Sequence, residues 1–115
     1  MEYLLLICSD EQSYAAMSPD EAAAMSAAHA AFAEEMGARG VLRGGNRLHP
    51  TTEATTVQVR NGETLTTDGP FAETKEQMAG YYLVDCADLD EAIEVAAKIP
   101  TAAEGTIEVR PIWAM

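Results

Sequence analysis

Ten consecutive residues, Thr67 to Glu76 (TDGPFAETKE), hold the densest chemistry of the chain. Asp68 stands before a Gly-Pro turn, Phe71 follows, and Glu73, Lys75 and Glu76 close the run. The run falls between two strand-like stretches, where loops on a rigid scaffold tend to carry sites. Lys75 there could stabilise a developing oxyanion. Plainer roles suit the same residues: an aspartate before Gly-Pro accepts a backbone amide and makes its own turn, and Glu73, Lys75 and Glu76 suit a solvated loop. A second feature is a basic island. No acidic residue occurs from Met36 to Thr52, while Arg39, Arg43, Arg47 and His49 all do. In a chain of net charge −12, that island is a place for a small anionic ligand, with Arg43 or Arg47 clamping a carboxylate through two parallel hydrogen bonds. Pairing with surface carboxylates is the plainer use of these arginines. The histidines are His29 and His49. An imidazole, with an ordinary pKa near about 6.5, can move a proton at neutral pH. His29 on an apolar helical stripe fits a hydrogen-bonded core residue equally well, and His49 before Pro50 reads as an exposed loop residue.

Composition removes several functions. A net charge of −12 opposes nucleic acid, which needs a basic face, and opposes an anionic membrane surface. No apolar run nears the roughly 20 residues of a membrane span, and the N-terminus has no leader pattern. Cys8 and Cys86 fall in or beside strand-like segments, so two buried, reduced thiols and a cytoplasmic location are expected. No Cys/His spacing suggests a metal site, and no glycine-rich phosphate or dinucleotide motif and no nucleophile elbow occurs. A cofactor-free protein is expected. With 115 residues, 48% of them apolar, the chain makes one domain, residues 1–115.

These residues need elements to position them. Glu2 to Cys8 (EYLLLIC) is a continuous apolar run, as in a central strand covered on both faces. Ser18-Pro19-Asp20-Glu21 starts a helix, with Ser18 as cap, proline at the first position and Glu21 reaching back. That helix runs to about Met36 and ends at Gly37 or Gly40. Its apolar stripe is Met25, Ala28, His29, Phe32 and Met36, at helical spacing. Val41 to Leu48 is a short strand in which Gly44-Gly45 marks a bulge or a close backbone approach. Thr55 to Thr67 is a hairpin about Asn61-Gly62, the preferred type I′ pair. One helical turn is expected near Glu73 to Gln77, then a strand at Tyr81 to Val84, where Tyr81 and Tyr82 alternate between faces. Asp88 caps a second helix that stops before Pro100, and Thr106 to Ile112 alternates as a half-exposed strand. Phe71 is expected to anchor its loop to the core.

Two helices on one face of an antiparallel sheet make a ferredoxin-like α+β sandwich with an inserted hairpin. The other sheet face has no cover within the chain. A second copy packed sheet to sheet, a homodimer, would cover it.

The chain resembles the YciI-related family of the dimeric α/β-barrel superfamily, in its Asp-Gly-Pro-Phe variant. The resemblance is carried by Thr67 to Glu76, Gly80-Tyr81-Tyr82-Leu83-Val84, Asp88-Leu89-Asp90-Glu91-Ala92 and Glu108-Val109-Arg110-Pro111. It implies a ferredoxin-like dimer whose site pairs His29 with Asp68, the carboxylate fixing the tautomer of the imidazole and raising its basicity. Such a pair could take a proton from a carbon acid or hydrate a small unsaturated acid. The expected substrate-binding residues are Arg43, Arg47, Glu73 and Lys75. A lyase, isomerase or hydrolase acting on a small organic acid or lactone is one reading. The other, also drawn from the resemblance, is a non-catalytic ligand-binding or regulatory module associated with an extracytoplasmic-function sigma factor.

Overall fold

The computed structural model describes residues 1–114. In chain order the elements are β1 (Glu2–Ser9), α1 (Glu11–Ala15), α2 (Pro19–Ala38), β2 (Leu42–Arg47), β3 (Thr55–Arg60), β4 (Glu63–Asp68), β5 (Gln77–Asp85), α3 (Leu89–Ala97) and β6 (Thr106–Pro111). Short 3-10 turns lie at Thr51–Glu53 and Pro100–Ala103.

The main sheet runs β2-β5-β1-β6 and every neighbouring pair is antiparallel. With the hairpin set aside, this is the β-α-β-β-α-β order of a ferredoxin-like α+β fold. The apolar β1 takes a central place, as its composition requires. Tyr3, Leu5 and Ile7 point to the helices and are buried, joined by Val84 of β5, Phe32 and Met36 of α2, and Ala92, Val95 and Ala96 of α3. On the opposite face Leu4 and Leu6 of β1 pair with Leu83 and Tyr81 of β5. Those four side chains stay half-exposed in the single chain.

Local chemistry sets the boundaries of α2. Ser18 and Glu21 form a reciprocal capping box with Pro19 in the first turn. At the far end Gly40 takes a left-handed φ of 76°. The amides of Gly40 and Val41 then bond back to the carbonyls of Gly37 and Met36, a Schellman closure. The helix therefore runs past Met36 to Ala38, and Ala28 of the expected stripe is exposed.

β3 and β4 pair only with each other, about Asn61 (φ 52°) and Gly62 (φ 77°), the two positive angles that a type I′ turn demands. Two expectations fail in the segment that follows. Glu73 to Glu76 forms no helical turn; the chain there is irregular and enters β5 at Gln77. Phe71 is 82% exposed and anchors nothing to the core. Neighbouring prolyl and charged residues leave this stretch no apolar periodicity that would fold it inward. The α1 turn was not anticipated. Asp10 caps it by accepting from the Gln12 amide, and the Glu11 carboxylate accepts from the Thr51 amide (2.7 Å) and hydroxyl (2.8 Å).

Candidate active site

A cavity of about 420 Å³ opens between the helix face of the sheet, α2 and α1. Its size suits a small molecule. Ile7, Met17, Met25 and Ala79 supply apolar lining, and His29, Arg47, Tyr82 and Thr101 supply converging polar groups.

His29 reaches the cavity because it lies on the same side of α2 as Phe32 and Met36, one turn nearer the N-terminus. Tyr82 meets it from β5, where period-two alternation puts Gly80, Tyr82 and Val84 on the helix face. The Tyr82 hydroxyl is 2.9 Å from Nδ1 of His29, and the Thr101 hydroxyl is 3.1 Å from Nε2. The phenol ring stacks on the imidazole at 6.1 Å between centroids and packs against Phe32 at 4.8 Å. Gly45 of β2 makes room for this, since a Cβ there would stand 2.7 Å from the Tyr82 ring. The expectation of a close backbone approach at Gly44-Gly45 is met, and a bulge between Leu42 and Gly44 is present as well. Thr101 is 8% exposed. It sits in the 3-10 turn after α3, where its carbonyl accepts from the Gly105 amide at 2.7 Å.

The basic island divides. Arg39 pairs with Glu94 (3.0 Å) and Glu91 (3.7 Å), Arg43 with Asp85 (3.6 Å), and His49 with Glu53 (3.2 Å). Arg47 has no carboxylate within ion-pair distance among the described residues. Its guanidinium instead lies 4.8 Å above the ring of Tyr14 in α1, facing the cavity. Alternation explains the difference between the two strand arginines: Arg47 pairs with Gly80 on the helix face, whereas Arg43 lies at the bulge and donates to the Gly40 carbonyl at 2.6 Å.

Of the expected site residues, His29 and Arg47 are thus brought together. Asp68, Arg43, Glu73 and Lys75 lie outside the cavity lining. Asp68 is exposed at the end of β4, in the separate two-stranded sheet, and both ring nitrogens of His29 already have other partners. Glu73 and Lys75 are exposed in the irregular segment before β5. Sequence reasoning missed Tyr82, Thr101 and Tyr14. Tyr82 was within reach, since the register that buries Val84 sends Tyr82 the same way. Thr101 carried no signal, because a threonine after Ile-Pro looks like any turn residue.

Burial, reinforced by the positive charge of Arg47, holds the pKa of His29 below its ordinary 6.5. Burial also pushes the Tyr82 phenol up. At neutral pH the pair is therefore an unprotonated imidazole and a protonated phenol, so one ring nitrogen accepts a hydrogen bond and the other donates. The consequence for stability has a definite sign. The unfolded chain binds the histidine proton more readily than the fold does, so stability is full above about pH 6.5 and falls as the pH drops through the folded value. The charged or titratable groups that line the cavity with His29 are Arg47 from β2, Tyr81 and Tyr82 from β5, Asp10 and Tyr14 at α1, and Glu104 after the 3-10 turn. Urea midpoints measured from about pH 7.5 to about pH 5.5 should decline in the native chain and decline less in His29→Gln. Equal slopes would show that His29 titrates no differently once folded.

The model of the YCII-related domain matches residues 1–115. The uncharacterised protein R00369 of Rhizobium meliloti (strain 1021) is 42% identical over 114 residues, which span 97% of this chain and 92% of the relative. The fold is consistent with these matches, and the chain belongs to the YCII-related family.

Proposed function

We propose that the cavity binds a small organic acid and that His29 exchanges a proton with it, in a cofactor-free isomerase, lyase or hydrolase reaction. The observation that carries this reading is Arg47, the member of the basic island that no described carboxylate neutralises, in one cavity with a neutral imidazole. A guanidinium so placed recognises a carboxylate through paired, charge-assisted hydrogen bonds. The apolar lining and the Tyr14 and Tyr82 rings suit an unsaturated or aromatic body. A neutral imidazole is the form that can accept a proton. Asp68, the partner that the family resemblance suggests for His29, has no place in this mechanism within one chain.

The half-exposed face formed by Leu4, Leu6, Tyr81 and Leu83 supports a homodimer packed sheet to sheet. Glu108 and Arg110 lie on that face beside β1, so a twofold axis could set each against its opposite in the second copy. Cys8 and Cys86 are free thiols, Cys86 buried as expected and Cys8 only partly so, which suits a reducing cytoplasm.

Benzoate, an aromatic carboxylate, tests the binding half of the reading. Titration followed by calorimetry should give saturable binding, and Arg47→Ala should weaken it by about tenfold or more. A screen of small unsaturated acids and lactones then tests turnover, which His29→Ala should abolish while leaving the fold intact. Benzoate affinity indifferent to Arg47, or full turnover without His29, would remove the reading.

A further inference from the structure

We infer that Tyr82 is the group through which His29 exchanges its proton with a bound acid, so that phenol, imidazole and the Thr101 hydroxyl form one proton chain with the phenol at its cavity end. The inference rests on the function proposed above. Its ground is occupancy: Nδ1 faces the Tyr82 hydroxyl at 2.9 Å and Nε2 faces the Thr101 hydroxyl at 3.1 Å. A ligand cannot reach either nitrogen without displacing a protein partner. Each hydroxyl, by contrast, has one proton and two lone pairs and so keeps spare capacity beyond its bond to the ring. Both residues line the cavity with Arg47, but Thr101 is buried, whereas Tyr82 is only partly so. The spare capacity more open to a ligand is that of Tyr82.

The chain has two settings. Without a ligand, the phenol, being the more acidic hydroxyl, donates to Nδ1, and Nε2–H donates to the Thr101 oxygen. An anionic ligand oxygen is a stronger acceptor than a neutral imidazole nitrogen. When one enters, the phenol proton turns to it, Nδ1–H donates to the phenol oxygen, and the Thr101 hydroxyl donates to Nε2. The ring thereby changes tautomer. In a proton transfer from a carbon acid, the C–H bond breaks with its electron pair left on the ligand as an enolate. With the carboxylate held by Arg47, the C–H bond and not an anionic oxygen faces the phenol, so the chain keeps its first setting with Nδ1 unprotonated. The freed proton goes to the Tyr82 oxygen as the phenol proton passes to Nδ1, leaving an imidazolium. The reverse hop returns a proton to the ligand, at the same or another carbon.

The test is nitrogen NMR of the His29 ring, with the arginine side chains observed in parallel, during titration with benzoate at neutral pH. The native protein should show the Nδ1 and Nε2 signals exchanging character as the Arg47 signal moves. Tyr82→Phe keeps the ring stacked on His29 and Phe32 but removes the hydroxyl. In that variant Arg47 should still respond while the tautomer change is lost. Thr101→Val, which leaves Nε2 without a donor, should suppress the change as well. A His29 ring unmoved in the native protein while Arg47 responds overturns the chain and leaves the acid site standing. A tautomer change that persists in Tyr82→Phe shows direct contact between ligand and ring and also overturns it. An unresponsive Arg47 removes the acid site, and the chain with it.

Discussion

Leu5→Ala should lower the unfolding free energy by about 2–5 kcal/mol, the range for a leucine cut back inside a close-packed core. Leu5 is fully buried in the central strand, with Tyr82 and Val109 as its cross-strand neighbours. Strands on both sides and helices above leave the backbone little freedom to collapse into the space. Against a typical total of about 5–15 kcal/mol, that is a large share of the stability. A urea titration should show a lower midpoint at unchanged slope. Leu65→Ala in the hairpin, where the side chain is 44% exposed, should lower the unfolding free energy by about 0.5 kcal/mol or less. Equal losses at the two positions would mean that the hairpin is covered in solution by something absent from the single chain.

Gly80→Ala should cost about 1–3 kcal/mol and weaken benzoate binding together. A Cβ at this position would lie 2.7 Å from the Asn46 carbonyl oxygen and 3.3 Å from the Arg47 Cα. Both are backbone atoms of β2, so no rotamer change relieves the contact and the strand itself must move. That strand carries Arg47 into the cavity, so the displacement reaches the carboxylate clamp directly. Gly44→Ala is the control, because nothing stands within 4 Å of its added carbon. Native midpoint and native benzoate affinity in Gly80→Ala would show that β2 has slack at its end and that Arg47 does not depend on it.

The elements with strong local chemistry were legible in the sequence. The capping box at Ser18 and Glu21, the Asn61-Gly62 turn and the apolar β1 each state their role in a few residues. The order of elements along the chain, and with it the fold class, followed from alternating strand and helix signals. What stayed hidden depends on which face of an element meets which other element. Arg43 and Arg47 look alike in sequence, yet a bulge and the pleat send one to Asp85 and the other to the cavity. Similarly, His29 was legible as a member of an apolar stripe. Its two hydroxyl partners come from positions 53 and 72 residues away, and no local pattern announces such distant contacts. The run from Thr67 to Glu76 shows the opposite case, since its dense chemistry lies largely in solvent in the single chain.

The placement of β1 bears on how the protein is made. Its cross-strand partners are the last strands to appear: Tyr3 pairs with Val84 on one side and with Pro111 on the other. Contacts so distant in sequence have a high entropic cost of closure and form late. At a synthesis rate of roughly 5–20 residues per second, the ribbon Tyr-Leu-Leu-Leu-Ile-Cys waits several seconds with both edges unpaired. During that interval it is the segment of the chain most open to wrong pairing. The helix α2, which folds on local signals alone, is the first structure available to shield it.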